Sequence, residues 1–285
     1  MLKTLASSPE NSPNLPAALE EKHEAIQRWL GGLGSAITAF SAGVDSTLVA
    51  VMAHQALGSR ALAVTSGSES LKREELELAK TLARRWGLAH RVIVTQEMAL
   101  PAYRANPADR CYFCKTTLYA DLQRLAKAEG YAAVLNGTNA DDLGDYRPGL
   151  KAAGEHEVLA PLAMFGVTKA EVRALALHLG LPNHDKPQSA CLSSRVPYGL
   201  AISPEVLRRI EQAESLLKSL GFSQLRVRHH DALARIEVPV EDLPRVVAQR
   251  EAIESGLRAL GYRYVTLDLG GFRSGSMNEV LPGRG

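Results

Sequence analysis

Four short apolar runs, at 35–40, 61–65, 90–95 and 132–135, alternate with stretches of helical periodicity along the first half of this sequence. Runs this short and this apolar read as strands buried on both faces, and strand–helix alternation closes into a parallel sheet with helices on either side. The clearest helix follows Ser68, its expected N-cap, with Leu71, Leu78, Leu82 and Trp86 along one side and Lys72, Arg73, Glu74 and Lys80 largely opposite. In such sheets ligands sit at the carboxyl ends of the strands. Residues 7–16, rich in Pro, Ser and Asn, place a flexible lead-in over 1–16, ahead of an α/β domain over 17–186. Residues 187–203 are irregular, punctuated by Pro187, Pro197 and Gly199, yet rich in reactive side chains, which suggests an active-site loop and linker. Beyond it the pattern is α-β-β-α-β: a helix near 204–220, strands near 224–229 and 234–238, a helix near 240–256 and a strand near 262–269. The expected architecture is therefore α/β with a smaller α+β domain over 204–285.

With 46% hydrophobic and 22% charged residues, the chain can build a core, and disordered, collagenous and coiled-coil structures are excluded. Thirty-three Lys plus Arg against thirty-one Asp plus Glu leave a formal charge of +2, so no overall basic field recruits nucleic acid and any anion site must be local. No apolar run approaches the roughly 18 residues of a membrane span, and the N-terminus lacks a signal pattern; the expectation is a cytoplasmic protein without membrane contact. Three cysteines cannot all pair within one chain, so a thiol, metal or cluster role outranks a disulfide framework.

Four segments carry chemistry. Ser41-Ala42-Gly43-Val44-Asp45-Ser46 lies between the first strand and an apolar helix. Small residues let a phosphate approach the backbone, and the amides and dipole of the helix N-terminus stabilise anionic oxygens. It is neither a Walker loop nor a dinucleotide fingerprint, and an ordinary turn capped by Asp45 or Ser46 is the competing reading. After the fourth strand, Gly137-Thr138-Asn139-Ala140-Asp141-Asp142-Leu143-Gly144-Asp145-Tyr146-Arg147 offers carboxylates for Mg²⁺, with Asp141 and Asp145 as candidates, and Arg147 as a phosphate fork. A polar turn whose aspartates cap the next helix competes with that. Cys111 and Cys114 form a Cys-x-x-Cys pair flanked by Arg110 and Lys115, a setting that favours thiolate; a redox pair or two buried cysteines would look the same. Cys191 stands in a loop of small and polar residues near Lys186 and Arg195, as a nucleophile would.

The first segment resembles the Ser-Gly-Gly-x-Asp-Ser loop of the PP-loop ATP pyrophosphatases, with Ala42 in place of one glycine. The sheet implied is then the Rossmann-like parallel sheet of that type. Taken with Lys186 to Gly199, Thr168-Lys169-Ala170-Glu171-Val172-Arg173, Arg226-Val227-Arg228-His229, Ala234 to Val238 and Gly271 to Asn278, nearly the whole chain after the lead-in resembles the LarE family, ATP-dependent sulfur transferases of nickel-pincer cofactor biosynthesis. The resemblance implies that ATP and Mg²⁺ are bound by Ser41 to Ser46, Gly137, Thr138, Asn139, Asp142 and Arg147, with Asp45 essential. It implies adenylation of a pyridinium-3,5-dicarboxylate mononucleotide and delivery of sulfur through Cys191. In one family version the sulfur is that of the cysteine itself, which ends as dehydroalanine. In another, three cysteines hold a [4Fe-4S] cluster that carries the sulfide, and the count of Cys111, Cys114 and Cys191 favours this version, since a fourth iron is left open. Zinc on three thiolates and a histidine such as His184 is a weaker expectation. Substrate binding is expected from Ser194, Arg195, Arg226, Arg228, Glu237 and Arg273, the two strand arginines sharing a face by alternation. Glu237 would orient an arginine or bind metal, whereas His229 and His230 read as polar strand-end residues. A sulfide donor, a nickel-insertion protein and a second copy of the chain are the partners implied. The competing functions are a tRNA thiolation enzyme, which the dispersed charge argues against, and a nucleotide- or metal-binding protein without turnover.

Overall fold

A computed structural model of the protein describes residues 14–144 and 148–273. Its packing divides the chain into two compact units, Met1–Glu97 with Cys111–Ser189, and Met98–Arg110 with Ala190–Gly285.

The first unit is built on four parallel strands, β1 (Ala36–Ala39), β2 (Ala61–Ser66), β3 (Ala89–Ile93) and β4 (Ala133–Leu135), in the order β3-β2-β1-β4. The order reverses between β1 and β4, which opens a crevice at their carboxyl ends. Alternation divides the strand residues between two cores. Ala36, Ala61 and Ala63 face helices α1 (Ala17–Gly32), α2 (Val44–Leu57) and α8 (Lys169–His178), while Ile37, Leu62, Val64 and Val134 face α5 (Arg110–Glu129) and α6 (Pro148–Glu155). The small strand residues lie on the α2 side, and α2 itself is apolar all round because neighbouring helices cover it.

Two local expectations are corrected here. Helix α3 (Arg73–Arg85) starts four residues later than Ser68 predicts, with Lys72 as its N-cap residue. The Ser68 hydroxyl instead meets that of Ser70 at 2.9 Å, and Ser70 donates to the fully buried Glu97 carboxylate. A buried acid needs donors, and it draws these hydroxyls away from the helix end. Lys72, expected opposite the apolar stripe, is also buried.

The second unit contains α4 (Pro101–Arg104), α9 (Pro204–Ser219), the antiparallel hairpin β5 (Arg226–His230) and β6 (Leu233–Glu237), then α10 (Leu243–Ala248), α11 (Arg250–Ala259) and β7 (Tyr264–Leu267), which pairs parallel to β6. The single helix expected near 240–256 is two. Pro244 cannot donate and sits in the first turn of α10, and Gln249 leaves helical geometry at φ −101°, ψ 17° between them. Val227, Ala234 and Ile236 bury one sheet face against Leu217, Ile253 and Leu257. The segment 98–110, read from sequence as part of the 17–186 domain, packs in this second unit because its main chain bonds there: Gly199 N donates to Asn106 O at 2.9 Å and Ile202 N to Arg104 O at 2.8 Å. No helix among the described residues is long and apolar enough to cross a membrane.

Candidate functional site

The six-residue loop after β1 lies at the switch point of the first sheet, and Gly43 is the N-cap residue of the fourteen-residue α2. Ala42 turns the chain with φ +59° and is wholly buried. Ser46 Oγ accepts from Ser41 N at 3.1 Å, lies 3.0 Å from Ser41 Oγ and donates to Gly43 O at 3.1 Å, which closes the loop on itself. From outside the loop, Asn183 Nδ2 donates to Ala42 O at 3.1 Å and Thr47 Oγ1 at 3.0 Å, and Lys186, paired with Glu75, reaches Ala42 O at 3.4 Å. The loop leads into the first turn of α2, whose backbone amides and positive dipole end favour an anion.

The loop after β4 packs directly beneath. A Cβ at Gly137 would stand 2.6 Å from Ser46 N, so only glycine lets the two backbones approach. Thr138 N donates to Asn136 Oδ1, and Thr138 O accepts from Ala163 N. Buried Asn139 accepts at Oδ1 from the amides of Asp141 and Asp142 and donates through Nδ2 to Asp45 Oδ1 at 3.0 Å. Asp142 Oδ2 accepts from Asn139 N at 3.1 Å. Asp141 Oδ2 accepts from Lys169 N at 2.9 Å, so this candidate Mg²⁺ ligand holds the first amide of α8. The second oxygen of Asp45 accepts from Lys169 Nζ at 2.5 Å. The structure thus joins Ser41 to Ser46, Gly137, Asn139, Asp141 and Asp142 in one network. Val44, by contrast, buries its side chain in the core. Lys169 is the residue that sequence reasoning passed over as chemistry; its place one residue after the helix-capping Thr168 was the available signal. Asp145 and Arg147 lie outside the described residues.

Cys111 and Cys114 lie three residues apart in the first turn of α5, so both sulfurs lie on one helix face; Cys111 is exposed and Cys114 half-buried. Soft sulfur donors in this arrangement suit zinc or an iron–sulfur cluster. Among the described residues, no three His, Cys, Asp or Glu side chains form a group that could hold a metal ion.

In the second unit, the exposed Cys191 precedes a short 3₁₀ turn over Leu192–Arg195. Ser194 Oγ and Arg195 Nη1 both donate to Cys191 O, at 2.7 and 3.2 Å, and Arg195 Nη1 also donates to Ala190 O at 2.9 Å. Arg195 is held in turn by Glu214 at 2.8 Å, with both side chains under 5% exposed. Arg228, 1% exposed, forks onto Glu237 with two bonds of 2.9 Å and donates to Ser194 O at 2.7 Å. Glu237 accepts both bonds of the Arg228 fork, and the forks of Arg195 and Arg228 are directed inward to carboxylates rather than outward. Glu214, which sequence reasoning missed, is legible only as a lone acid on the buried face of α9. Arg226 is different. Among the described residues no carboxylate pairs with it; its guanidinium lies 4.4 Å from the Phe272 ring centroid and donates to Arg273 O at 3.1 Å. Burial, with Arg228 and Arg195 as neighbours, lowers its pKa to about 10. Arg273 itself lies 4.0 Å from Asp268. His229 is buried against the Tyr262 hydroxyl at 3.2 Å.

A parallel sheet of this order with a serine- and glycine-lined loop at its switch point defines a nucleotide-using domain of the PP-loop class, and residues 24–177 match the family model described as asparagine synthase. The chain is 40% identical over 266 residues to pyridinium-3,5-bisthiocarboxylic acid mononucleotide synthase of Lactiplantibacillus plantarum, a match that covers 93% of this chain and 96% of that protein. It is 48% identical to an uncharacterised Synechocystis protein, across 92% of this chain and 99% of the other. It is also 28% identical to one of the subunits of the glutamine-hydrolysing GMP synthase of Pyrococcus furiosus, across 70% of this chain and 67% of that one. The chain belongs to the LarE family of PP-loop ATPases, ATP-dependent sulfur-transferring enzymes.

Proposed function

We propose that this protein adenylates a carboxylate of pyridinium-3,5-biscarboxylic acid mononucleotide and converts it to a thiocarboxylate. The observation that carries the reading is Cys191. An exposed thiol stands on a loop whose backbone is fixed by two buried arginine–glutamate pairs, in a chain whose other unit presents an ATP-type phosphate loop. The similarity to the Lactiplantibacillus synthase runs through both.

In the first step a substrate carboxylate oxygen attacks the α-phosphorus of ATP, the bond to the bridging oxygen breaks and pyrophosphate leaves. The first-turn amides of α2 stabilise the anionic phosphates, and Lys169 supplies the cation that the loop itself lacks. Asp45, held between Asn139 and Lys169, sets the position of that ammonium. Mg²⁺ bound with ATP would neutralise phosphate charge, and Asp45 and Asp142, both joined to Asn139 beside the loop, are the carboxylates that would hold it. In the second step sulfur attacks the acyl carbon and AMP departs.

The finer reading assigns the sulfur to Cys191. Its thiolate forms a thioester; loss of its Cα proton and cleavage of its Cβ–S bond then leave the thiocarboxylate on the product and dehydroalanine in the chain. Alternatively, a [4Fe-4S] cluster on Cys111, Cys114 and Cys191 would supply sulfide when bound; Cys111 and Cys114 share one helix face, but the three cysteines do not form a metal-holding group among the described residues. The test is anaerobic purification and assay with ATP and the mononucleotide. Cys191→Ala is expected to release pyrophosphate and form no thiocarboxylate; thiocarboxylate at the wild-type yield would overturn the assignment. About four iron atoms per chain, lost in Cys111→Ala, select the cluster, and dehydroalanine in the intact mass selects the sacrificial route.

A further inference from the structure

Nothing in the chemistry above uses residues 98–110, yet this stretch holds the Cys191 loop from a separation of about ninety residues. Tyr103 is 1% exposed, and its hydroxyl lies 2.7 Å from Ser193 Oγ, itself wholly buried two residues after Cys191. Asn106 is wholly buried with φ +53°, a left-handed conformation that asparagine tolerates better than most residues. Its Nδ2 donates to three carbonyls, Val196 O at 3.1 Å, Pro197 O at 2.7 Å and Leu200 O at 3.1 Å. Its Oδ1 accepts from Arg110 at 2.5 Å, and the Arg110 guanidinium lies 5.2 Å from the Tyr198 ring centroid. Both side chains are buried, and directional polar bonds join the two segments at these points. Buried polar networks of this kind fix one arrangement where hydrophobic burial would accept several.

We infer that Tyr103 and Asn106 are positioning residues for sulfur transfer: they fix both flanks of the Ser193–Leu200 segment and thereby set where the Cys191 thiol is presented. The inference rests on the proposed role of Cys191. A nucleophile on an irregular loop reacts at a rate set by its placement, and a small misplacement costs far more in the chemical step than in stability.

The experiment uses the whole chain with Tyr103→Phe, Ser193→Ala, the pair combined, and Asn106→Asp, which keeps the shape but replaces the donor by an oxygen facing three carbonyls. Three quantities are measured: pyrophosphate release, thiocarboxylate formed per adenylate, and the iodoacetamide alkylation rate of Cys191 by peptide mass mapping between pH 6 and 9. Loss of one hydrogen bond in Tyr103→Phe is expected to lower transfer per adenylate about fivefold to tenfold, with pyrophosphate release altered less than twofold and the alkylation pH profile displaced. The Tyr103→Phe/Ser193→Ala pair is expected to be no worse than either single change, since both delete one contact. Asn106→Asp is expected to lower transfer further. Wild-type transfer and an unmoved alkylation profile in folded Tyr103→Phe would overturn the inference, even if Asn106→Asp fails to fold. A wild-type chain that releases no pyrophosphate with the mononucleotide would sink the proposed function instead, while the alkylation profiles still decide the positioning claim.

Discussion

At Ala42 the backbone has left-handed geometry that disfavours any residue with a Cβ. Alanine is the mildest such residue, and its methyl is buried behind the phosphate loop. Ala42→Gly removes the left-handed penalty but loosens the unfolded chain, so the two effects nearly cancel, and stability is expected to stay within about 1 kcal/mol of wild type. Ala42→Val, β-branched at positive φ, is expected to cost more than about 2 kcal/mol, read as a lowered urea midpoint. Equal midpoints for the two variants would contradict the left-handed geometry. Lys169 separates stability from function in a different way. Its pair with Asp45 is partly exposed, so Lys169→Met is expected to change folding by no more than about 1 kcal/mol. Pyrophosphate release should nevertheless fall at least about a hundredfold, because the loop contains no cation of its own. A fall of under tenfold would remove Lys169 from the site. The hexapeptide was legible in the sequence because its parts are contiguous. Lys169 was not, since a lysine at the start of a helix is ordinary until the fold sets it against Asp45.

Among the elements, the hairpin β5–β6 shows how strand alternation reveals a face but not its partners. Arg226 and Arg228 lie on one face as their spacing requires, and the register sets Arg228 opposite Arg235, with Glu237 on the diagonal. The alternation could equally have served an outward phosphate grip; of the buried glutamates that take up the forks, Glu237 on β6 was named through the resemblance, whereas Glu214 on α9 is announced by no local pattern. Removing Arg228 takes two 2.9 Å bonds from the buried Glu237, which keeps Arg235 at 3.2 Å, so Arg228→Met is expected to destabilise the second unit by about 3 kcal/mol, the low end of the cost of breaking a buried pair. Replacing both members, Arg228→Met with Glu237→Leu, is expected to recover part of that loss, because the buried carboxylate is gone while Arg235, partly exposed, keeps Asp268 at 3.5 Å. Denaturation midpoints check both, and a double variant as weak as the single one would show that packing, not charge, dominates there. The helix break at Gln249 and the late start of α3 were missed for related reasons: Pro244 lies within the range tolerated in a first turn, and the hydroxyls of Ser68 and Ser70 are drawn to Glu97, twenty-seven residues beyond Ser70.

For the whole molecule, alternating apolar runs were enough to specify a parallel sheet, since each strand and crossover is local. The affiliation of 98–110 with the second unit was not specified, because it depends on hydrogen bonds to residues about ninety positions away. Long-range burial also sets the response of the molecule to acid. His23, His90, His229 and His230 are all held below 6.5, in each case first by burial and then by neighbouring cationic groups: His178, Lys80, Arg209, and Arg235 with Arg228, respectively. Below pH 6.5 the unfolded chain takes up protons at these sites that the folded chain refuses, so the unfolded state binds more protons and stability rises with pH. The contribution is complete above 6.5 and is lost as pH falls through the lower folded values. One histidine can contribute no more than about 1.4 kcal/mol per pH unit, and three of the four are only half-buried, so a total loss on the order of 2 kcal/mol is expected between pH 7 and 5.5. Glu171, on which burial acts upward but is outweighed by Lys22 and the Thr168 amide, is held below 4.5, so its titration falls outside that window. Urea midpoints at pH 7 and 5.5 test this: the wild-type midpoint should drop, and His229→Gln, which removes the least exposed of the four, should show a smaller drop. Identical midpoints at the two pH values would mean that these histidines titrate alike in the folded and unfolded chain, and that their burial carries no proton linkage.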